Sequence, residues 1–576
     1  MTAQPKISET AFAPMPRGFQ ARQNGIWREV KGKDGNPEWE WLCSPLRVLA
    51  LPRDRSGMGW GRLVEVTDAD GNAHRWAIPA RMFAGDGAEV RAGLLDMGLN
   101  LASGTASRHA LSDLLQRWQP PDRAFTADRL GWADEACAAF VCGDGRVIGA
   151  GDVVYQHENT PAAAAEMKPA GTLDGWRETV AAPCAGNPLM VAAVSLAFAG
   201  PLLEPLGLDG GGMHLRGASS RGKSTVQRVA VSVWGSPRFL HSWRATANGL
   251  EGVAAACNAS LLALDELGEI SGREAGAAAY MLANGAGKAR ANRSGAARAA
   301  MRWRVVVLSS GEITLADKMA EAGGKAAAGQ AVRLLDVAAD GRAHGAFDDL
   351  HGAPDGATFA DRLREATATH YGTAGPAFVA AFLDNRETAT ATVRAAMAGF
   401  ATKAAERFGL SGEGQTARAT ARLGLVAAAG ELATAFGLTG WPRGAAVAAA
   451  LDVLGGWLDG RGGGGPAEAR EAVERVRAFL VAHGDARFEP VSKGDDDRPV
   501  INRAGWREGG TFYIAADVWR DIHKGADPSR AARHLRDAGF LTPGEGKNLA
   551  ARAPRGIPGR PRAYAVGEEI MGAGDE

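Results

Sequence analysis

Residues Gly217 to Ser224 read G-x-x-x-x-G-K-S, and their types fit one task, holding the phosphates of a nucleoside triphosphate. Gly217 and Gly222 allow backbone angles and close approaches that a side chain forbids. The residues expected to line the phosphates are Gly217, Ala218, Ser219, Ser220, Arg221, Gly222, Lys223, Ser224 and Thr225, with a helix following whose positive end adds to the attraction. Lys223 would reach the β- and γ-phosphates, and Ser224 would hold Mg²⁺.

A second motif lies about 40 residues on, in "SLLALDELGE" from Ser260 to Glu269. An apolar run ends there in two adjacent carboxylates. Asp265 would complete the Mg²⁺ shell and Glu266 would polarise an attacking water, which favours a hydrolase over a kinase. About 40 residues further, "WRVVVLSSGE" ends a third apolar run in Ser309 and Ser310, a place where a polar side chain can sense a γ-phosphate. Ser310 is the residue assigned here, with an ordinary strand cap as the alternative. "AGQAVRLLDV" then supplies Gln330 and Arg333. Arg333 fits a finger that reaches a neighbouring subunit's site, or else a plain ion pair.

These groups need a scaffold. From His214 to Asp340 short apolar strands alternate with helices, the pattern of a parallel sheet with crossovers. The even spacing fits an AAA+ or superfamily-III type of ring ATPase better than a recombinase type. Ahead of it, paired runs around Asp70-Gly71-Asn72 and Gly143-Asp144-Gly145 predict two hairpins, with a helix at "HALSDLLQRW" between them. No catalytic constellation or nucleic-acid surface is legible in that part. The expected organisation is a loose tail (1–20), an α+β domain (21–170), a P-loop ATPase core (171–345), a helical domain (346–459), a Gly-rich linker (460–466) and a helix with a winged-helix-like basic domain (467–576). The fold class is therefore multidomain α/β.

Two stretches could grip nucleic acid. Between the second and third motifs lie Lys288, Arg290, Arg293, Arg298, Arg302 and Arg304, with no acid among them. Basic side chains on a Gly-flanked loop suit sequence-blind phosphate contact, though a solvated face or part of the nucleotide pocket reads the same way. Near the C-terminus, "DPSRAARHLRDAG" predicts a helix with Asp527 as cap, Pro528 at its first position and Gly539 as stop. It carries Arg530, Arg533 and Arg536, and a basic stretch with Lys547, Arg552, Arg555, Arg560 and Arg562 follows. DNA contact and a small protein-interaction domain both fit this grammar.

Bulk properties decide less. The 576 residues exceed what one core can organise, and 65 basic residues balance 65 acidic ones. The five cysteines form no C-x-x-C pair, so neither a disulfide scaffold nor a zinc site is expected. The N-terminus has no apolar core of a signal peptide. The run Leu189–Leu203 reads as a buried helix rather than a membrane span. A cytoplasmic protein is expected.

The segments "HLRGASSRGKST", "SVWG", "SWRATANGLEGVAA", "LLALDELGE", "MLANGAGKAR", "SSGE" and "AGQAVRLLDV" occur in that order, preceded by "GWADEACAAFVCGDGRVIG" and "LAFAGPLL". Together they resemble the bacterial "domain of unknown function 927" family over roughly residues 25 to 340. The resemblance implies a P-loop ATPase related to helicases, found on prophages, plasmids and integrated elements, often beside primase-like proteins; no primase motif is present in this chain. The expectation is an ATP- and Mg²⁺-dependent ring motor, a hexamer, acting on single-stranded or forked DNA with a primase or other replication protein as partner and no membrane. The alternatives are a regulatory or defence ATPase that assembles on a protein without unwinding DNA, and a nucleotide-gated scaffold.

Overall fold

The computed structural model describes residues 14–157, 162–288, 290–291, 297–298, 301–323, 332–410, 414–460, 467–492, 500–524, 527–544 and 548–572. The chain forms two compact units, one of residues 1–407 with 418–457 and one of 408–417 with 458–576.

The first unit opens with an antiparallel sheet of β1 (Phe19–Arg22), β2 (Gly25–Lys31) and β3 (Pro37–Cys43). Next comes the meander β4 (Leu46–Arg53), β5 (Gly61–Thr67) and β6 (Ala73–Pro79), extended by β7 (Arg123–Ala127) and later β11 (Val153–Tyr155) to give the order β11-β7-β4-β5-β6. The β5–β6 hairpin turns where Asp70-Gly71-Asn72 predicts. Its geometry is set by Asp68, whose carboxylate accepts from the amides of Asp70 (3.0 Å) and Asn72 (2.8 Å). The helix Thr105–Arg117 covers the sheet, packing Leu111, Leu114 and Leu115 against Val48, Val64 and Ile78. The second predicted hairpin is β9 (Ala139–Val141) with β10 (Val147–Gly149); β8 (Gly131–Trp132) pairs on its far side and β11 (Val153–Tyr155) follows.

A five-stranded sheet then organises the unit: β12 (Gly211–Arg216), β13 (His241–Ser242), β14 (Leu261–Asp265), β17 (Val306–Gly311) and β18 (Leu334–Ala338), in the order β13-β14-β17-β12-β18. Every pair in it is parallel. Such strands are covered on both faces, so Leu261–Leu264 and Val306–Leu308 are continuous apolar runs, all buried. Crossovers run through the helices Lys223–Val231, Ala247–Ala256 and Gly272–Asn284. Between the last of these and β17 lies a short antiparallel ladder, β15 (Arg290–Ala291) with β16 (Ala297–Arg298).

The helix beginning at Pro188 is long and apolar enough to cross a membrane, but 83% of that stretch is buried inside the fold. Its residues Leu189–Ala199 are all buried, and Ala197 accepts a hydrogen bond from the Trp234 indole (2.8 Å). All five cysteines are buried thiols. Beyond the sheet the chain is helical: Gly356–Thr369, Ala374–Asp384, Arg386–Phe408, Gly414–Ala435 and Ala445–Gly460. The chain is thus a multidomain α/β protein with a parallel sheet followed by a helical region.

The second unit holds a helix (Ala467–His483) and the strands β19 (Phe488–Pro490), β20 (Gly505–Glu508) and β21 (Thr511–Ala515). The helices Ala516–Ile522 and Pro528–Asp537 follow, then β22 (Leu541–Thr542), β23 (Ala551–Arg552) and β24 (Arg562–Gly567). The predicted cap holds: the Asp527 carboxylate accepts from the Ser529 amide, Pro528 opens the helix and Gly539 lies beyond it at φ +84°. The strands β19 to β21 were not expected, because Trp506, Phe512 and Ile514 alternate too briefly to stand out among charged neighbours. The tail 1–13 and linker residues 461–466 lie outside the described residues.

Candidate functional site

The loop after β12 is shaped by contacts that only glycine tolerates. Gly222 sits at φ +93°, and a Cβ there would lie 2.8 Å from the Phe347 ring. A Cβ on Gly217 would lie 2.9 Å from the Asp340 carboxyl carbon. Asp340 accepts from the Ala218 amide (2.9 Å), and the Arg221 carbonyl accepts from the Ala346 amide (2.8 Å). The loop is therefore held from both sides, by residues that carry no motif of their own. Lys223, the first residue of the nine-residue helix, is buried, and its ammonium donates to the carbonyls of Gly217 (2.6 Å) and Ala218 (2.8 Å). Ser219, Ser220, Arg221 and Ser224 are exposed and Thr225 is half-buried.

Asp265 ends β14, half-buried, and Ser310 lies near the end of the adjacent β17. The Ser310 hydroxyl donates to the Asp265 carboxylate and accepts from the Glu266 amide (3.3 Å). Glu266 itself is exposed, and its backbone is left-handed at φ +59°, ψ +74°. For a residue with a Cβ this costs of order 1 kcal/mol or more, and such outliers gather at working sites. Because β17 runs between β12 and β14, the two serines lie between the glycine loop and the carboxylates.

Two further contacts hold these strand ends in place. Gln227, one turn beyond Lys223, donates its buried amide to the carbonyls of Leu264 (3.0 Å) and Leu308 (3.3 Å). It fixes the helix carrying Lys223 and Ser224 to the strands carrying Asp265 and the serines. On the other side, Ser309 accepts from the Trp243 indole (2.8 Å) and donates to Nδ1 of His214 (2.8 Å), whose Nε2 donates to the Ile313 carbonyl (3.0 Å). With Nε2 donating to a carbonyl, the neutral ring leaves Nδ1 to accept from the Ser309 hydroxyl. Burial pushes the His214 imidazole down to about 4, with the nearby Arg216 and Lys223 cations acting in the same direction. Motif spacing did not single out Gln227, His214, Trp243 or Asp340. For Gln227 a signal existed: a lone polar residue four after Lys223 on an otherwise apolar helix face.

Arg333 stands apart. It immediately precedes β18, level with the start of β12, so roughly 18 Å of strand separates it from the loop of its own chain. Its guanidinium lies 4.5 Å over the Tyr280 ring. Gln330 lies outside the described residues.

In the basic segment, Lys288 is exposed and its amide donates to buried Glu251 (3.2 Å). Arg290 and Arg298 are direct cross-strand partners of β15 and β16. Arg293 lies outside the described residues. Arg304 does not belong to this group: its guanidinium donates to the Leu208 carbonyl (2.8 Å) and its amide to Asn258 (2.8 Å), a structural anchor. In the second unit, Arg530, Arg533 and Arg536 are exposed on the helix Pro528–Asp537, with Arg536 paired to Asp537 at 2.7 Å. Lys547 is outside the described residues.

No curated protein matches the chain. Among solved structures, the fold is similar to one described as "SCCmec type IV Cch - active helicase", with a TM-score of 0.66 and 16% identity, covering 96% of this chain and 99% of that one. Residues 19–302 match the family model described as "Domain of unknown function (DUF927)". Over that span, the chain is similar to this family.

Proposed function

We propose that the chain is an ATP-hydrolysing motor of the AAA+/superfamily-III kind, working as a hexameric ring and as a helicase-like DNA translocase of a mobile element such as a prophage or plasmid. The observation that carries the reading is Ser310, bound to the Asp265 carboxylate and the Glu266 amide beside a glycine loop whose lysine points inward. On this reading, groups that would bind phosphate, hold a metal and activate water share the same ends of adjacent parallel strands.

The residues present fit ATP and Mg²⁺. The absence of side chains at Gly217 and Gly222 lets the loop pack closely against Asp340 and Phe347, and Lys223 holds its ammonium on the loop carbonyls, a cation available to an anion. Ser224 and Asp265 would hold Mg²⁺, which supplies charge neutralisation on the phosphates when bound. Glu266 would orient and deprotonate a water. Ser310 would keep the Asp265 carboxylate and the Glu266 backbone in register, and Arg333 would serve a neighbouring copy's site. The ladder that bears Arg290 and Arg298, with Lys288 and Arg293, would contact the DNA backbone. The second unit, read as winged-helix-like, would add Arg530, Arg533 and Arg536. A primase or other replication protein is the expected partner.

The fold likeness to a structure described as an active helicase favours DNA as the track. A regulatory or defence ATPase acting on a protein shares every residue of the hydrolytic site. Steady-state ATP hydrolysis with and without single-stranded DNA, beside Lys223→Ala, separates the two. DNA stimulation that disappears in the variant supports the motor; hydrolysis indifferent to DNA points to the protein-directed ATPase.

A further inference from the structure

The first unit gathers arginines and aromatic rings at one end of its meander. β4 ends at Arg53, β7 begins at Arg123, and in their parallel register Arg53 lies beside Phe125. The connection from β4 to β5 adds Arg55 and Trp60. The guanidinium of Arg123 lies 5.9 Å from the Trp60 ring, and Arg53 lies 5.8 Å from the same ring. Arg53 also lies 5.7 Å from Phe125, and Arg55 lies 4.7 Å from it. The result is a ladder in the order Arg123, Trp60, Arg53, Phe125, Arg55.

The ladder is ordered and accessible. Asp54 pins the connecting loop by accepting from the Ser56 hydroxyl (2.6 Å) and the Met58 amide (2.8 Å), so its carboxylate is turned into its own loop. Trp60 is 41% exposed, and Met58 beside it is 68% exposed. Arg55 pairs with Asp134 at 2.8 Å. Arg123 donates to the carbonyls of Pro120, Pro121 and Asp122, and its charge meets no carboxylate within ion-pair distance among the described residues.

From this geometry we infer a second nucleic-acid site, one that binds a single strand through alternating phosphate and base contacts. A single strand presents a charge and a flat base face at every nucleotide, and half-exposed rings between guanidinium groups present the complementary series. A duplex hides its base faces in the stack and cannot use Trp60. DNA and RNA single strands share the required chemistry. The site does not depend on the motor reading, since it needs neither nucleotide nor the glycine loop.

The test is fluorescence anisotropy of labelled oligo(dT) and oligo(rU) of about 16 nucleotides with the nucleotide-free full chain. A background with Lys288, Arg290, Arg293, Arg298, Arg530, Arg533 and Arg536 all changed to Ala removes the other nucleic-acid contacts proposed above. Trp60→Ala is expected to raise Kd at least about 5-fold, with Trp60→Phe recovering most of the loss because the ring face remains. Arg123→Gln is expected to lower the slope of log affinity against log salt by about 0.7. Loss with either oligonucleotide supports the site, and the stronger of the two identifies the strand it prefers. Unchanged affinity in Trp60→Ala together with an unchanged slope in Arg123→Gln would overturn it, as would undetectable binding in that background. Thermal melting checks that each variant is folded.

Discussion

Ser310 donates its hydroxyl to the Asp265 carboxylate on the neighbouring strand and accepts from the amide of Glu266, so one small side chain orders two consecutive acids. Its removal leaves the carboxylate short of a donor. A hydrogen bond to a charged group is worth about 1.5–3 kcal/mol, so Ser310→Ala is expected to lower ATP turnover about 10- to 100-fold. Nucleotide affinity should change far less. Phosphate release and equilibrium nucleotide binding, measured on the same variant, check both halves.

Glu266 holds a backbone conformation that glycine adopts without strain. Glu266→Gly should therefore raise stability by about 1 kcal/mol while abolishing hydrolysis, whereas Glu266→Gln keeps the strain and also loses hydrolysis. Denaturant midpoints beside turnover rates test this; a glycine variant no more stable than the glutamine one would count against strain at this site.

His214 gives a pH signature. Its folded-state value, about 4, lies below the ordinary 6.5, so between those values the unfolded chain binds more protons. Its contribution to stability is complete above pH about 6.5 and is lost as pH falls toward 4, amounting to about 3 kcal/mol at most. His523, in the second unit, is also pushed down to about 4 by burial and acts in the same direction. His214→Gln should thus flatten part of the acid-side decline in stability, measured by denaturant titration across that range.

Arg333 lies too far along β18 to serve the loop of its own chain. Arg333→Ala and Lys223→Ala should each abolish hydrolysis alone, and mixing the two proteins should recover a measurable fraction of it, because a mixed assembly contains boundaries with both residues intact. No recovery on mixing, with co-assembly verified by size, would remove the role assigned to Arg333.

The sheet was legible because its buried strands carry continuous apolar runs, and the glycine loop because Gly217 and Gly222 stand at a fixed spacing just after one of those runs. What escaped were residues that act by support. Gln227 touches two strands only once the helix is folded against them, and Asp340 meets Ala218 across 122 residues of chain. Arg304 looked like a grip on nucleic acid because its neighbours are basic, yet it binds the carbonyl of Leu208, far away in sequence. The arginine–aromatic ladder was illegible for the same reason, since Trp60 and Arg123 are brought together by strand pairing and not by spacing.

Successive side chains on a strand point to opposite faces, and that rule divides the labour of Ser309 and Ser310. Ser309 is locked to Trp243 and His214, while Ser310 faces the acids. Two identical neighbours therefore sit in different worlds, one fastened into the fold and the other turned to the acids of the proposed site. A scan of single substitutions along this strand would see the boundary between architecture and chemistry fall across one peptide bond.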